Sequence, residues 1–145
     1  MYNPYTLKEK TILITGASSG IGQQTAIECS RLGAQVIVSG RNNERLEETL
    51  NALEGNGHSK VVCDLNDSQE ISQLVTQMPH LDGLVSNAGF TRLQPIAFLC
   101  EDDVQELFRV NTIAPIVLLK RLLKARKLVK RSSVVFTSSL DLIGE

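Results

Sequence analysis

The chain has 145 residues, 42% hydrophobic and 21% charged, a balance that excludes disorder and suits a globular chain able to bury roughly 70% of the surface it would expose unfolded. With 15 Lys and Arg against 16 Asp and Glu, the formal charge is -1, which excludes a surface built throughout for nucleic acid. The cysteines, Cys29, Cys63 and Cys100, have no CxxC spacing and only His58 and His80 to join them, which argues against a metal cluster. They sit in or beside apolar segments, where small buried thiols are expected, so a reducing compartment, the cytoplasm, is expected. Residues 1–10 lack the hydrophobic core of a signal peptide and no apolar run approaches a membrane span, so no membrane partner is expected.

In chain order, the first β-rich run is 11–15, followed by a glycine-rich turn and a helical pattern whose buried stripe is read as Ile21, Ala26, Cys29 and Leu32, ended by Gly33. The second run is 35–39, followed by a helical pattern at Leu46, Leu50 and Leu53, with Asn42 or Asn43 as its cap. The third run is 60–63. After it, Ile71, Leu74, Val75 and Met78 mark one face of a helix capped by Asn66 or Asp67. A fourth run lies at 84–86, a longer helical stretch is expected over about 101–130 with a kink at Pro115, and a fifth run lies at 133–137. The runs are short and continuously apolar, so they suit a sheet covered on both faces. Their alternation with helices predicts an α/β fold with parallel strands and right-handed crossovers, read as one unit over residues 1–145.

The turn after the first run reads Thr15-Gly16-Ala17-Ser18-Ser19-Gly20-Ile21-Gly22. Gly16 permits a tight turn, Gly20 lets the backbone approach a diphosphate, and Gly22 lets the helix pack close to the strand, while the helix start offers unpaired N–H groups to the anion. Gly16, Ser18, Ser19, Gly20, Ile21 and Gly22 are therefore candidate dinucleotide-binding residues. The alternative is a purely structural turn. No Gly-Lys-Ser/Thr follows, which excludes a P-loop.

The wide spacing Thr-Gly-x-x-x-Gly-x-Gly resembles the short-chain dehydrogenase/reductase family, and further matches follow in order along nearly the whole chain. Asp64, with Leu65 beside it, ends the third run like the family's adenine-binding Asp. Asn87-Ala88-Gly89 is similar to the family's Asn-Ala-Gly bordering the cofactor. Asn111 matches the Asn of the long helix, and Ser138-Ser139 matches the catalytic Ser region. Taken singly, Asp64 and Asn87 could be turn residues and Asn111 a solvated helix residue. The resemblance implies a Rossmann-like doubly wound parallel sheet of order 3-2-1-4-5. It also implies hydride transfer between a nicotinamide cofactor and a small alcohol or carbonyl substrate, with Ser139 polarising the carbonyl, Ser138 as runner-up, and Asn111 orienting a water.

At the end of the second run an acidic side chain would hold the ribose hydroxyl of NAD. The segment instead reads Ser39-Gly40-Arg41-Asn42, where the Arg41 guanidinium can pair bidentately with a 2′-phosphate. Ser39, Arg41 and Asn42 join the candidate cofactor residues, and NADP(H) is expected over NAD(H). The alternative is that Arg41 points into water.

The family's Tyr-x-x-x-Lys is missing: the tyrosines are Tyr2 and Tyr5, neither followed four residues later by Lys. By resemblance that pair would fall just past Glu145, so the expectation is a chain truncated after the fifth strand and inactive alone. The alternatives are a non-catalytic NADP(H)-binding module and an inert fragment. An unprotected fifth strand would favour self-association or a homo-oligomer. Between Lys120 and Arg131 lie Lys120, Arg121, Lys124, Arg126, Lys127, Lys130 and Arg131 with no acid. That run is read as a solvated helical face, with no nucleic acid partner expected.

Overall fold

Ile12, Leu13 and Ile14 form the middle of β1 (Thr11–Thr15), which lies at the centre of a parallel sheet in a computed structural model describing residues 3–138. Its neighbours are β2 (Gln35–Gly40) and β4 (Leu81–Ser86), with β3 (Ser59–Val62) and β5 (Leu128–Phe136) outermost, giving the order β3-β2-β1-β4-β5. Every pairing is parallel, so the chain must cross over between strands. It does so through α1 (Gly20–Arg31), α2 (Asn43–Asn51) and α3 (Ser68–Gln77), and finally through α4 (Glu101–Phe108) and α5 (Ala114–Lys124). This is the Rossmann-like doubly wound sheet, in the expected strand order.

Alternation along β1 divides the core between two layers. Leu13 packs with Ile37 and Leu84 against Ile71, Leu74, Leu118 and Leu122 of α3 and α5, whereas Ile12 and Ile14 pack with Val36 and Val38 against Ala26 and Leu46 of α1 and α2. Burial on both faces accounts for the unbroken apolar runs of β1 and β2. The strand ends that carry the glycine turn, Arg41 and Asn87 therefore emerge together at one edge of a buried platform.

Three expectations need correction. The buried residues of α1 are Gly22, Ala26 and Ser30, while Ile21 is 66% exposed; a helix this close to its sheet accepts small residues on the contact side, not the apolar stripe that periodicity suggests. The stretch 101–130 is not one helix. The Ala114 N–H donates to the Arg109 carbonyl, a wide π turn over Arg109–Ile113, and Pro115 has no N–H to offer Asn111. α5 then stops at Lys124, Arg126 adopts a left-handed φ of 54°, and β5 starts at Leu128. The basic run thus covers a helix end, a turn and a strand. Finally, β4 and β5 start earlier than expected. Asp82 and Gly83 interrupt the apolar pattern of β4, while β5 carries Lys130 and Arg131 on a register shift, with Arg131 at φ 69°.

Candidate functional site

Gly16 is where the chain leaves β1, with φ +66°, and a β-carbon there would stand 2.6 Å from the Ala88 Cα. The turns after β1 and β4 are therefore pressed together at the backbone. Thr15 fastens them: its Oγ1 accepts from the Asn87 and Ala88 N–H groups at 3.2 and 3.3 Å. The Asn87 Nδ2 donates to the Gly16 carbonyl at 3.3 Å. A β-carbon on Gly22 would stand 2.6 Å from that same Nδ2 and 2.7 Å from the Gly16 carbonyl carbon, so α1 starts directly against this junction. Asn87 is thus a brace under the turn, and Thr15 is a partner that sequence reasoning missed; a hydroxyl residue closing a buried strand was its signal.

The start of α1 differs from that of its neighbours. Asn42 caps α2 by accepting from the Arg45 N–H, and Asp67 caps α3 by accepting from the Gln69 and Glu70 N–H groups. At α1 the cap position is Ser19, its side chain makes no capping hydrogen bond, and the first turn holds no acid. The first N–H groups of α1 are left to an anion from outside the chain. That arrangement fits a diphosphate.

Beside this helix end opens a cleft of about 220 Å³. Among the expected residues, Gly16, Ser18, Ser19, Ser39, Arg41, Asn42, Asp64, Leu65, Ala88 and Gly89 line it, whereas Gly20, Ile21, Gly22 and Asn87 do not. Ser39 is buried, and its carbonyl accepts from the Ala17 N–H at 3.0 Å. Arg45 also lines the cleft, a second guanidinium one helical turn beyond Arg41. Its spacing from Arg41 was visible in the sequence but was not read. Among the described residues, neither Arg41 nor Arg45 is in an ion pair, although other arginines of the chain are. Both cations line the same cleft.

Opposite, Asp64 uses one carboxylate oxygen to accept from the Asn66 N–H at 2.9 Å, and its own N–H donates to Glu70 Oε2 at 2.6 Å. The turn reading of Asp64 therefore holds alongside its place in the cleft wall. Behind it the Cys63 thiol is pushed up to about 12, first by burial and then by the charges of Glu70, Asp64 and Asp67, so it is held protonated and inert.

Asn111 sits in the π turn. Its Oδ1 accepts from the Phe90 N–H at 2.9 Å while its Nδ2 donates to the Phe90 carbonyl at 2.8 Å. It clasps the chain just after Gly89, where a β-carbon would be 3.1 Å from that Oδ1. Arg92 stiffens the same loop, with its guanidinium 5.7 Å from the Phe90 ring centre and paired to Asp103 and Glu106. Ser138 is exposed beyond β5, and Ser139 lies outside the described residues. Among the described residues no group of three or more His, Cys, Asp or Glu is arranged to hold a metal ion, and no helix is long and apolar enough to cross a membrane.

The model of the short chain dehydrogenase family matches residues 10–142. The chain belongs to this family. It is 37% identical over 135 residues to the 3-oxoacyl-(acyl-carrier-protein) reductase of Rickettsia prowazekii, covering 89% of this chain and 56% of that protein. It is 33% identical over 145 residues to the uncharacterized oxidoreductase YciK of Escherichia coli, covering 92% of this chain and 57% of that protein. The chain therefore spans little more than half the length of these relatives. Among solved structures, an Escherichia coli CFT073 short chain dehydrogenase complexed with NADPH superposes with a TM-score of 0.83 at 33% identity, over 95% of this chain and 62% of that one. A Shigella flexneri 2a family member complexed with NADP gives 0.83 at 32% identity, over 94% and 62%.

Proposed function

We propose that residues 1–145 form an NADP(H)-binding unit of a cytoplasmic oxidoreductase that moves hydride between NADP(H) and a small alcohol or carbonyl compound. The observation that carries this reading is the pairing of the uncapped start of α1 with the unpaired guanidiniums of Arg41 and Arg45 across one cleft. The first matches a diphosphate and the second a 2′-phosphate. The solved family members complexed with NADPH and NADP support it. The nucleotide supplies the hydride; the chain's own groups hold and orient it. The amides of residues 18–21 would take the diphosphate, Arg41 with Arg45 the 2′-phosphate, and Asp64 with Leu65 the adenine. Ala88 and Gly89 would border the ribose, with Gly20 and Gly22 shaping the turn and Asn87 bracing it.

In this reading Ser139, or Ser138 after it, donates a hydrogen bond to the substrate oxygen. Asn111, clasping Phe90, fixes the wall on which the substrate rests and orients a water. No Tyr in these residues is followed four positions later by Lys, so we assign them cofactor binding and expect no hydride transfer from them alone. A second reading, a non-catalytic NADP(H)-binding module, rests on the same cleft and helix start without the hydride transfer. Steady oxidation of NADPH by the chain with simple ketones or aldehydes would contradict both the inactivity and the second reading.

The cofactor assignment is tested by Arg41→Glu. Replacing the cation with an acid repels a 2′-phosphate and offers an acceptor to the ribose hydroxyls of NADH. Calorimetry should show the preference for NADPH over NADH falling by at least about tenfold, the equivalent of one charge-assisted hydrogen bond. An unchanged preference would sink the assignment.

A further inference from the structure

We infer that Thr49 is a positioning residue for the diphosphate-binding turn, latching α2 to the loop after β1 so that both ends of the dinucleotide meet one rigid unit. The inference rests on the nucleotide assignment above. Thr49 has no exposed surface, and a hydroxyl so placed in the middle of a helix must find partners. It finds them outside its own helix as well as within it. The Oγ1 donates to the Ala17 carbonyl at 2.9 Å, with the Arg45 carbonyl at 3.1 Å sharing the proton, and accepts from Gln23 Nε2 at 2.9 Å. One hydroxyl joins α2, the glycine turn and α1.

Ala17 is held at both of its polar atoms, because its N–H donates to the Ser39 carbonyl at 3.0 Å. Next to it the Ser18 hydroxyl lies over Gly40, so close that a β-carbon on Gly40 would run into it. Residues 17 and 18 are therefore fastened to the end of β2 and to α2. That same segment carries Arg41, Asn42 and Arg45. The latch sets the distance between the proposed diphosphate and 2′-phosphate sites, and Thr49 itself does not line the cleft. Without the Oγ1, the buried Ala17 carbonyl loses its partner and the turn relaxes away from α2. Only the fraction of molecules keeping the bound geometry then accepts the diphosphate.

Thr49→Val keeps the shape of the side chain and removes its hydrogen bonds. Calorimetry compares NADPH with adenosine 2′-monophosphate, which carries the 2′-phosphate and no diphosphate. For T49V, NADPH binding is expected to weaken about fivefold to tenfold, adenosine 2′-monophosphate binding to stay within about twofold, and Thr49→Ser to restore the wild-type value. Thr49→Ala, which favours the helix, gives the same reading should T49V not fold. Unchanged NADPH affinity in a folded variant overturns the latch, as does an equal loss for both ligands. If the wild-type chain binds neither ligand, the nucleotide assignment falls and the latch with it; if the wild type binds and the variant binds equally well, the latch alone falls.

Discussion

Gly22→Ala sets two physical effects against each other. In a helix, Ala is favoured over Gly by about 1 kcal/mol, so local propensity predicts a more stable chain. The new β-carbon, however, would lie 2.7 Å from the Gly16 carbonyl carbon and closer still to its oxygen, where ordinary contact begins near 3.4 Å. The Gly16 carbonyl is backbone held by Asn87, so α1 and the turn must part by about an ångström to clear its oxygen, which would lie 2.2 Å from the new β-carbon. Overpacking of this kind costs about 1–3 kcal/mol or more. Set against the gain, the balance is a net loss of about 0–2 kcal/mol, a fall in Tm of up to roughly 7 °C for a chain of this size. The displacement also moves the amides that face the diphosphate. Losing one charge-assisted hydrogen bond weakens NADPH binding by about tenfold or more. Thermal melts and calorimetry on G22A measure both quantities. A variant that melts higher than wild type and binds NADPH equally well would show that the close approach of α1 to the turn is not the reason for a glycine here.

Asp82 supplies a pH-dependent clasp between strands. Its carboxyl is held below the usual value of 3.8, mainly by the Thr11 N–H, with the Lys10 ammonium adding and burial opposing. A carboxylate with a depressed folded pKa contributes stability above the unfolded value and loses it as pH falls through the folded one. Asp82→Asn should therefore lower Tm at pH 7 and do so progressively less as the pH falls below 3.8; a loss that does not change with pH would contradict the linkage. Among the described residues β5 forms an edge of the sheet, with Val135 52% and Phe136 48% exposed. Such an edge templates pairing with another copy. Sedimentation should show the average mass of the chain rising with concentration, and a constant monomer mass over a wide range would contradict this.

That the sheet is parallel and covered on both faces was legible in the sequence, because β1 and β2 are buried on two sides and read as unbroken apolar runs; the strand order came with the family resemblance. The glycine turn, Asn87 and the caps at Asn42 and Asp67 were legible for a related reason: each is a residue type chosen by backbone geometry or by an orphan N–H, which leaves a local mark. Side chains whose meaning depends on what lies across a gap were not. Thr49 reads as an ordinary polar helix residue until Ala17 is seen opposite it. Ile21 reads as core until the small residues Gly22, Ala26 and Ser30 are found facing the sheet instead. Asn111 reads by resemblance as a water-orienting residue and otherwise as solvated, and only the fold brings the Phe90 backbone within reach of both its polar atoms. The early part of β5 was hidden by charge, since Lys130 and Arg131 suggest a helical surface and no periodicity reveals a bulge.

The central claim is a location: the diphosphate at the start of α1 and the 2′-phosphate at Arg41. Titrating isotope-labelled chain with NADPH and following each amide by NMR tests it most directly. The largest shifts are expected at residues 16–22, with a second group at 40–45 that is strong for NADPH and weak for NADH, and none along the outer edge of β5. Shifts centred away from these two segments, or identical patterns for the two nucleotides at 40–45, would contradict it.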